Sequence, residues 1–93
     1  MKNSIMQLDS THCYLCGRNN CLETHHVFGG YNRKKSEFYG LKVRLCHWCH
    51  NEPPNGAHFN KEAMEYLHKK GQEAFELYYP EEDFTEIFGK NYL

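Results

Sequence analysis

The chain has 93 residues, 40% of them hydrophobic and 25% charged, with a formal net charge of −1 at pH 7. That length fits one domain, and the composition excludes a disordered tail, a collagen-like repeat and a coiled coil. No apolar run approaches the ~18 residues of a membrane-crossing helix, and MKNSIMQLDS lacks a signal peptide's apolar stretch. A cytoplasmic protein with no membrane partner is therefore expected.

What departs from the average is 5 Cys together with 7 His. In a reducing compartment, paired cysteines point to metal rather than to disulfides. The small net charge hides a division along the chain. Residues 1–51 carry seven Lys or Arg and three acids, whereas residues 52–93 carry four Lys and nine acids. Polyanion binding follows local potential, so the near-neutral total says little about it, and the chemistry is expected in the first half. Five of the histidines lie there too.

Residues 1–10 are expected to be a flexible N-terminus. Cys13-Tyr14-Leu15-Cys16 is the first of two C-x-x-C pairs, and Cys46-His47-Trp48-Cys49 is the second, with 29 residues between them. Two thiolates three positions apart converge when the backbone turns between them, so each pair can grip one side of a tetrahedral ion. Gly17 suits such a turn because glycine tolerates positive φ. A redox dithiol or two disulfides would explain the thiols equally, but a four-cysteine Zn²⁺ site also explains how residues 9–40 fold. That stretch has only Leu15, Leu22 and Val27 as aliphatic residues larger than alanine. Cys21 is left over as a buried or inert thiol, and His12 and His47 read as surface neighbours of the knuckles.

Residues 23–28 (ETHHVF) read as a short strand followed by a Gly29-Gly30 turn, with Arg33-Lys34-Lys35 as a basic loop. Residues 40–46 alternate apolar and basic with period two, which predicts a second strand. Leu41, Val43 and Leu45 would face the core, and Lys42 and Arg44 the solvent or a ligand. Residues 52–56, rich in proline, form a turn connector. Asn60 is then an N-cap for a long helix whose stripe holds Ala63, Leu67, Ala74, Phe75 and Tyr78, with Gly71 on the same stripe for close packing. His68 falls on its solvated face. Pro80 stops the run, and residues 81–88 predict a short helix ended by Gly89. The sum is a small α+β domain spanning residues 1–93, with knuckles and strands over 11–60 and helices over 60–93.

The order C-x-x-C, His25-His26-Val27, then Leu45-Cys46-x-x-Cys49-His50 resembles the HNH endonucleases, which have the ββα-metal fold. The likeness is nearest to small zinc-stapled phage-type members and extends more weakly to the ending Phe88-Gly89-Lys90-Asn91-Tyr92-Leu93. The resemblance implies that His26 is the general base and that His25 and His50 ligate a catalytic metal, with His58 as a further ligand. It implies cleavage of DNA phosphodiesters in a cytoplasm, that of the host if the chain is phage-encoded. Many members have Asp where this chain has His25, and imidazole suits Mn²⁺ or Ni²⁺ better than Mg²⁺. For the family's central Asn, Asn32 and Asn51 are the two candidates.

Adjacent strand residues point to opposite faces, so His25 and His26 share one site only where the strand ends or twists. Arg33, Lys34, Lys35, Lys42 and Arg44 are the expected DNA-backbone contacts, giving affinity with little sequence information. The acidic C-terminal helices would face away from DNA and offer a surface to a protein partner. The competing reading is a non-catalytic zinc module that binds nucleic acid or protein, which has no use for His25, His26 and His50 together.

Overall fold

The computed structural model describes residues 3–54 and 56–93; Asn55 of the expected connector, and Met1 and Lys2 of the N-terminal stretch, lie outside them. Two short strands, β1 (Leu22–His26) and β2 (Lys42–Cys46), pair antiparallel with Leu22 opposite Cys46 and His26 opposite Lys42. Between them lie a 3-10 turn (Gly30–Asn32) and helix α1 (Arg33–Tyr39). Helix α2 (His47–His50) follows β2 directly, and α3 (Lys61–Tyr78) and α4 (Phe84–Phe88) complete the chain. Among the described residues no helix is long and apolar enough to cross a membrane.

The expected first strand is displaced by one residue at its start and stops two residues early. Val27 and Phe28 leave β1 to enter the core, where both are almost fully buried. Ser36 replaces the lost ladder, its hydroxyl accepting from the Phe28 amide and donating to the Phe28 carbonyl. The expected basic loop at Arg33-Lys34-Lys35 is instead the first turn of α1.

The second strand keeps the expected parity for its apolar residues: Leu41, Val43 and Leu45 are buried. Lys42 departs from it, being only 6% exposed because Glu37 of α1 covers it. The N-terminal stretch is also not the free extension expected. Ser4 donates to the Lys42 carbonyl, Ile5 N–H to Gly40, and Gln7 accepts from the Arg44 amide, so residues 4–7 run along the outer edge of β2.

Asn60 caps α3 by accepting from the Ala63 amide at 3.0 Å, and Asp83 caps α4 in the same way through Glu86. The expected helix over residues 81–88 begins only after that cap, at Phe84, and ends at Gly89 in the left-handed conformation. The buried stripe of α3 is Leu67, Gly71 and Phe75, four residues apart as a helix face requires. Tyr78, expected on it, is instead exposed, and Ala63 and Ala74 lie at its margins. Gly71 is where α3 meets β1's continuation: a Cβ there would sit 2.9 Å from Phe28 Cε2 and 3.0 Å from Val27 Cγ1.

Phe28 is the hub of the core, with the rings of Phe84, Phe88 and Tyr92 all within 5.2 Å of its own. His68 stacks on it as well, 5.2 Å away and nearly parallel, so it is not the solvated residue expected. Gln72, also buried, accepts from the Tyr92 amide and donates to Asn91 and Glu76, which fastens the C-terminal segment to α3.

Candidate metal centres

The two C-x-x-C pairs come together because of how β2 ends. Cys46 is the last residue of β2 and Cys49 lies in the one-turn helix that follows, while the first knuckle is tied to β2 by a hydrogen bond from the Tyr14 amide to the Arg44 carbonyl. Gly17, at φ 80°, turns the chain so that its amide reaches the Cys13 carbonyl, as the sequence required. The four sulfurs of Cys13, Cys16, Cys46 and Cys49 lie within 4.8 Å of one another, and Cys16 Sγ is 3.6 Å from Cys46 Sγ. Thiolates bonded to Zn²⁺ at ~2.3 Å in a tetrahedron are ~3.8 Å apart. The cluster therefore has the dimensions of a four-thiolate metal site.

Its electrostatics agree. Burial alone would raise the Cys13 thiol, but backbone amides near Cys46, Cys16 and Leu15 stabilise its thiolate and bring it down to about 7. Burial pushes Cys46 and Cys49 up, and the neighbouring thiols push Cys49 further, since packed thiolates without a cation repel. A divalent ion answers that repulsion. Cys21 stays outside the cluster and, contrary to expectation, is exposed; its carbonyl accepts from the His47 amide.

A second cluster forms on one face of the hairpin. His25 from β1, His50 from α2 and His58 from the loop before α3 each offer a ring nitrogen, all within 4.8 Å of one another. Backbone bonds from Ala57 N–H to Cys49 O and from His58 N–H to His50 O bring that loop back onto α2. His50 Nε2 and His58 Nε2 are 3.0 Å apart. Nitrogens sharing a tetrahedral ion through ~2.0–2.1 Å bonds lie ~3.3 Å apart.

Two features of the donors fit a cation. His25 is 2% exposed, yet its Nε2 has no hydrogen-bond partner among the described residues. A buried polar atom without a partner is costly, and a ligand removes the cost. His50 donates from Nδ1 to Glu23 Oε1 at 2.8 Å, because a carboxylate can only accept, and this leaves the Nε2 lone pair facing His58. Burial first, then the adjacent imidazoles of His50 and His58, pushes His25 down to about 3, so it is neutral at physiological pH. Burial and His50 also lower His58.

His26 points to the other side of the hairpin, as strand alternation requires. Its Nε2 lies 2.8 Å from Glu37 Oε1, and the second oxygen of Glu37 accepts from Lys42 Nζ at 2.6 Å. Hydrogen bonds from Lys42 first, and then from His26, hold the Glu37 carboxyl below its ordinary value. The same face carries the cross-strand neighbours Thr24 and Arg44 and, beside the N-terminal stretch, a cavity of about 400 Å³.

The five expected DNA contacts separate into two groups. Arg33 and Lys34 are exposed on α1, and Arg44 is half-buried at the cavity. Lys42 is committed to Glu37, and Lys35 donates to the Ile87 carbonyl at the end of α4. Of the two asparagines, Asn32 is structural, donating to the Phe88 carbonyl, whereas Asn51 donates to Glu23 beside His50. Glu23 and Glu37 were not singled out by sequence reasoning. Glu23 carried one signal, its position two residues before His25 and hence on the same strand face.

No family model matches the chain, and no curated protein or solved structure matches it.

Proposed function

We propose that the chain is a metal-dependent DNA endonuclease of the HNH kind, with a structural Zn²⁺ on Cys13, Cys16, Cys46 and Cys49. The observation that carries this reading is the convergence of His25, His50 and His58 around the unpartnered buried nitrogen of His25. It stands beside the sequence resemblance at His25-His26-Val27 and Leu45-Cys46-x-x-Cys49-His50.

In this reading His26, the last residue of β1, is the general base; it and His25 project from opposite strand faces, so they serve one phosphate only at the strand's end. Glu37 accepts a hydrogen bond from Nε2–H, which leaves the lone pair on Nδ1. Nδ1 removes a proton from water as its oxygen attacks phosphorus in line. The new O–P bond forms as the bond to the 3′ oxygen breaks, giving a 5′-phosphate and, after protonation, a 3′-hydroxyl. His25, His50 and His58 would hold a cation, whose charge would offset the negative charge that develops at the cleaved phosphate. An all-imidazole donor set favours Mn²⁺ or Ni²⁺ over Mg²⁺. Arg33, Lys34 and Arg44 contact the phosphate backbone, which makes sequence specificity weak.

Supercoiled plasmid incubated with the zinc-loaded protein and Mn²⁺, Ni²⁺ or Mg²⁺ tests this, beside His26→Ala. Nicking by the parent in Mn²⁺ or Ni²⁺, lost in His26→Ala, is the expected result. Equal activity in Mg²⁺ overturns the metal preference. Inactivity with every ion and with duplex, branched and single-stranded DNA overturns the nuclease reading in favour of a zinc module that only binds.

A further inference from the structure

We infer that Glu23 is the positioning residue of the three-histidine centre, fixing the tautomer and orientation of His50 and joining the centre to the zinc knuckle. The inference rests on reading that centre as a metal site. Glu23 and His25 are two apart on β1, so one strand face supplies both a ligand and the support for a ligand carried by α2.

The Glu23 carboxylate is itself held in place. Oε1 accepts from His50 Nδ1 at 2.8 Å and from Asn51 Nδ2 at 2.9 Å, while Oε2 lies 3.4 Å from His47 Nδ1. His47 lies in the C-x-x-C of the second knuckle and His50 directly follows it, so three α2-region side chains converge on one β1 carboxylate. The result is a carboxylate–imidazole pair in which the acid orients the ring and disfavours the tautomer that would put a proton on Nε2. No other carboxylate bonds to a histidine of this cluster among the described residues.

The test reads metal affinity directly. Ni²⁺ is titrated calorimetrically into protein carrying one equivalent of zinc, with zinc content measured before and after. Parent, Glu23→Ala, Glu23→Gln and His50→Ala are compared. The expected result is that Glu23→Ala weakens Ni²⁺ binding roughly tenfold to a hundredfold, the usual cost of removing such a partner, while zinc stays bound. Glu23→Gln should fall between, since its amide oxygen still accepts from Nδ1 but carries no charge. Equal Ni²⁺ affinity in parent and Glu23→Ala overturns the inference alone. Failure of the parent to bind Ni²⁺, or binding indifferent to His50→Ala, overturns the metal centre and the inference with it.

Discussion

His26 Nε2 lies 2.8 Å from Glu37 Oε1, and Lys42 Nζ closes the other side of that carboxylate at 2.6 Å. Glu37 is contributed by the helix between the strands, Lys42 by the residue directly opposite His26 in the sheet. In the proposed reaction this chain orients the base. Removing the base with His26→Ala should cost the ~10²–10⁴-fold typical of general-base catalysis. Glu37→Gln should cost less, because a glutamine oxygen still accepts from Nε2 but stabilises the imidazolium poorly. Single-turnover nicking at saturating Mn²⁺ measures both, and an unchanged rate in Glu37→Gln would remove Glu37 from the mechanism.

The basic residues should divide by what they already touch. Arg33 and Lys34 are exposed on α1, so replacing either with alanine should weaken DNA binding at all sequences and lower the salt slope by about one unit. Lys42→Ala should act through stability, because it leaves the Glu37 carboxylate without its shortest partner. Lys35→Ala should likewise release the end of α4, whose Ile87 carbonyl it caps. Binding isotherms across a salt series, beside urea unfolding of the same variants, distinguish the two groups. A Lys42→Ala protein of parental stability and reduced DNA affinity would contradict this division.

The four-thiol cluster should be a condition of folding. A structural Zn²⁺ contributes ~10–16 kcal/mol, comparable with the ~5–15 kcal/mol net stability of a whole domain. Chelation should therefore unfold the protein, with release of one zinc and loss of helical circular dichroism. Cys46→Ser, which removes a fully buried ligand, should do so without a chelator. Retention of native dichroism after complete zinc removal would show that the aromatic core holds the fold without it.

How much of this arrangement was legible depended on the range of the signal. The knuckles, the period-two strand and the Asn60 cap are local patterns that lie where the sequence puts them, except that the strand begins at Lys42 and not at Gly40, which caps the helix before it. The helix at Arg33–Tyr39 was not legible, since only Ser36 is buried on it and no apolar stripe marks it. That omission carried a second one: Lys42 looked solvent-facing because its partner Glu37 belongs to the unrecognised helix. His25 and His26 were read as a pair, but strand alternation gives them different neighbours, Glu37 for one and two imidazoles for the other. Glu23's partners lie 24 to 28 positions away, and Gln72 reaches Asn91 and Tyr92 over 19 and 20, beyond the reach of any spacing rule.

Gly71 offers a test of packing that does not involve the site. Alanine normally gains about 1 kcal/mol over glycine inside a helix. Here its methyl would press on Phe28 and Val27, both almost fully buried and unable to swing away. Overpacking costs ~1–3 kcal/mol, so Gly71→Ala should be net destabilising by roughly 1 kcal/mol. For a domain of this size that lowers Tm by about 4–8 °C. A raised Tm would mean that α3 shifts away from β1 without loss.

His68 supplies a pH dependence with a definite sign. Its ring stacks on Phe28 and meets Tyr92 in a tilted contact, and burial lowers it from the ordinary 6.5. Nearby Lys90 lowers it too, while a hydrogen bond with the Val27 backbone and the Glu65 carboxylate act the other way. The unfolded chain therefore binds a proton here more readily than the folded one. Stability from neutral His68 is complete above pH 6.5 and is lost as pH falls through the lower folded value. Between pH 7.5 and 5.5 the urea midpoint of the zinc-loaded protein should fall. In His68→Phe, which keeps an aromatic ring against Phe28 and Tyr92 and has nothing to titrate, it should fall less. The comparison cancels the histidines that both proteins share, so identical slopes would mean that His68 takes up its proton as easily folded as unfolded.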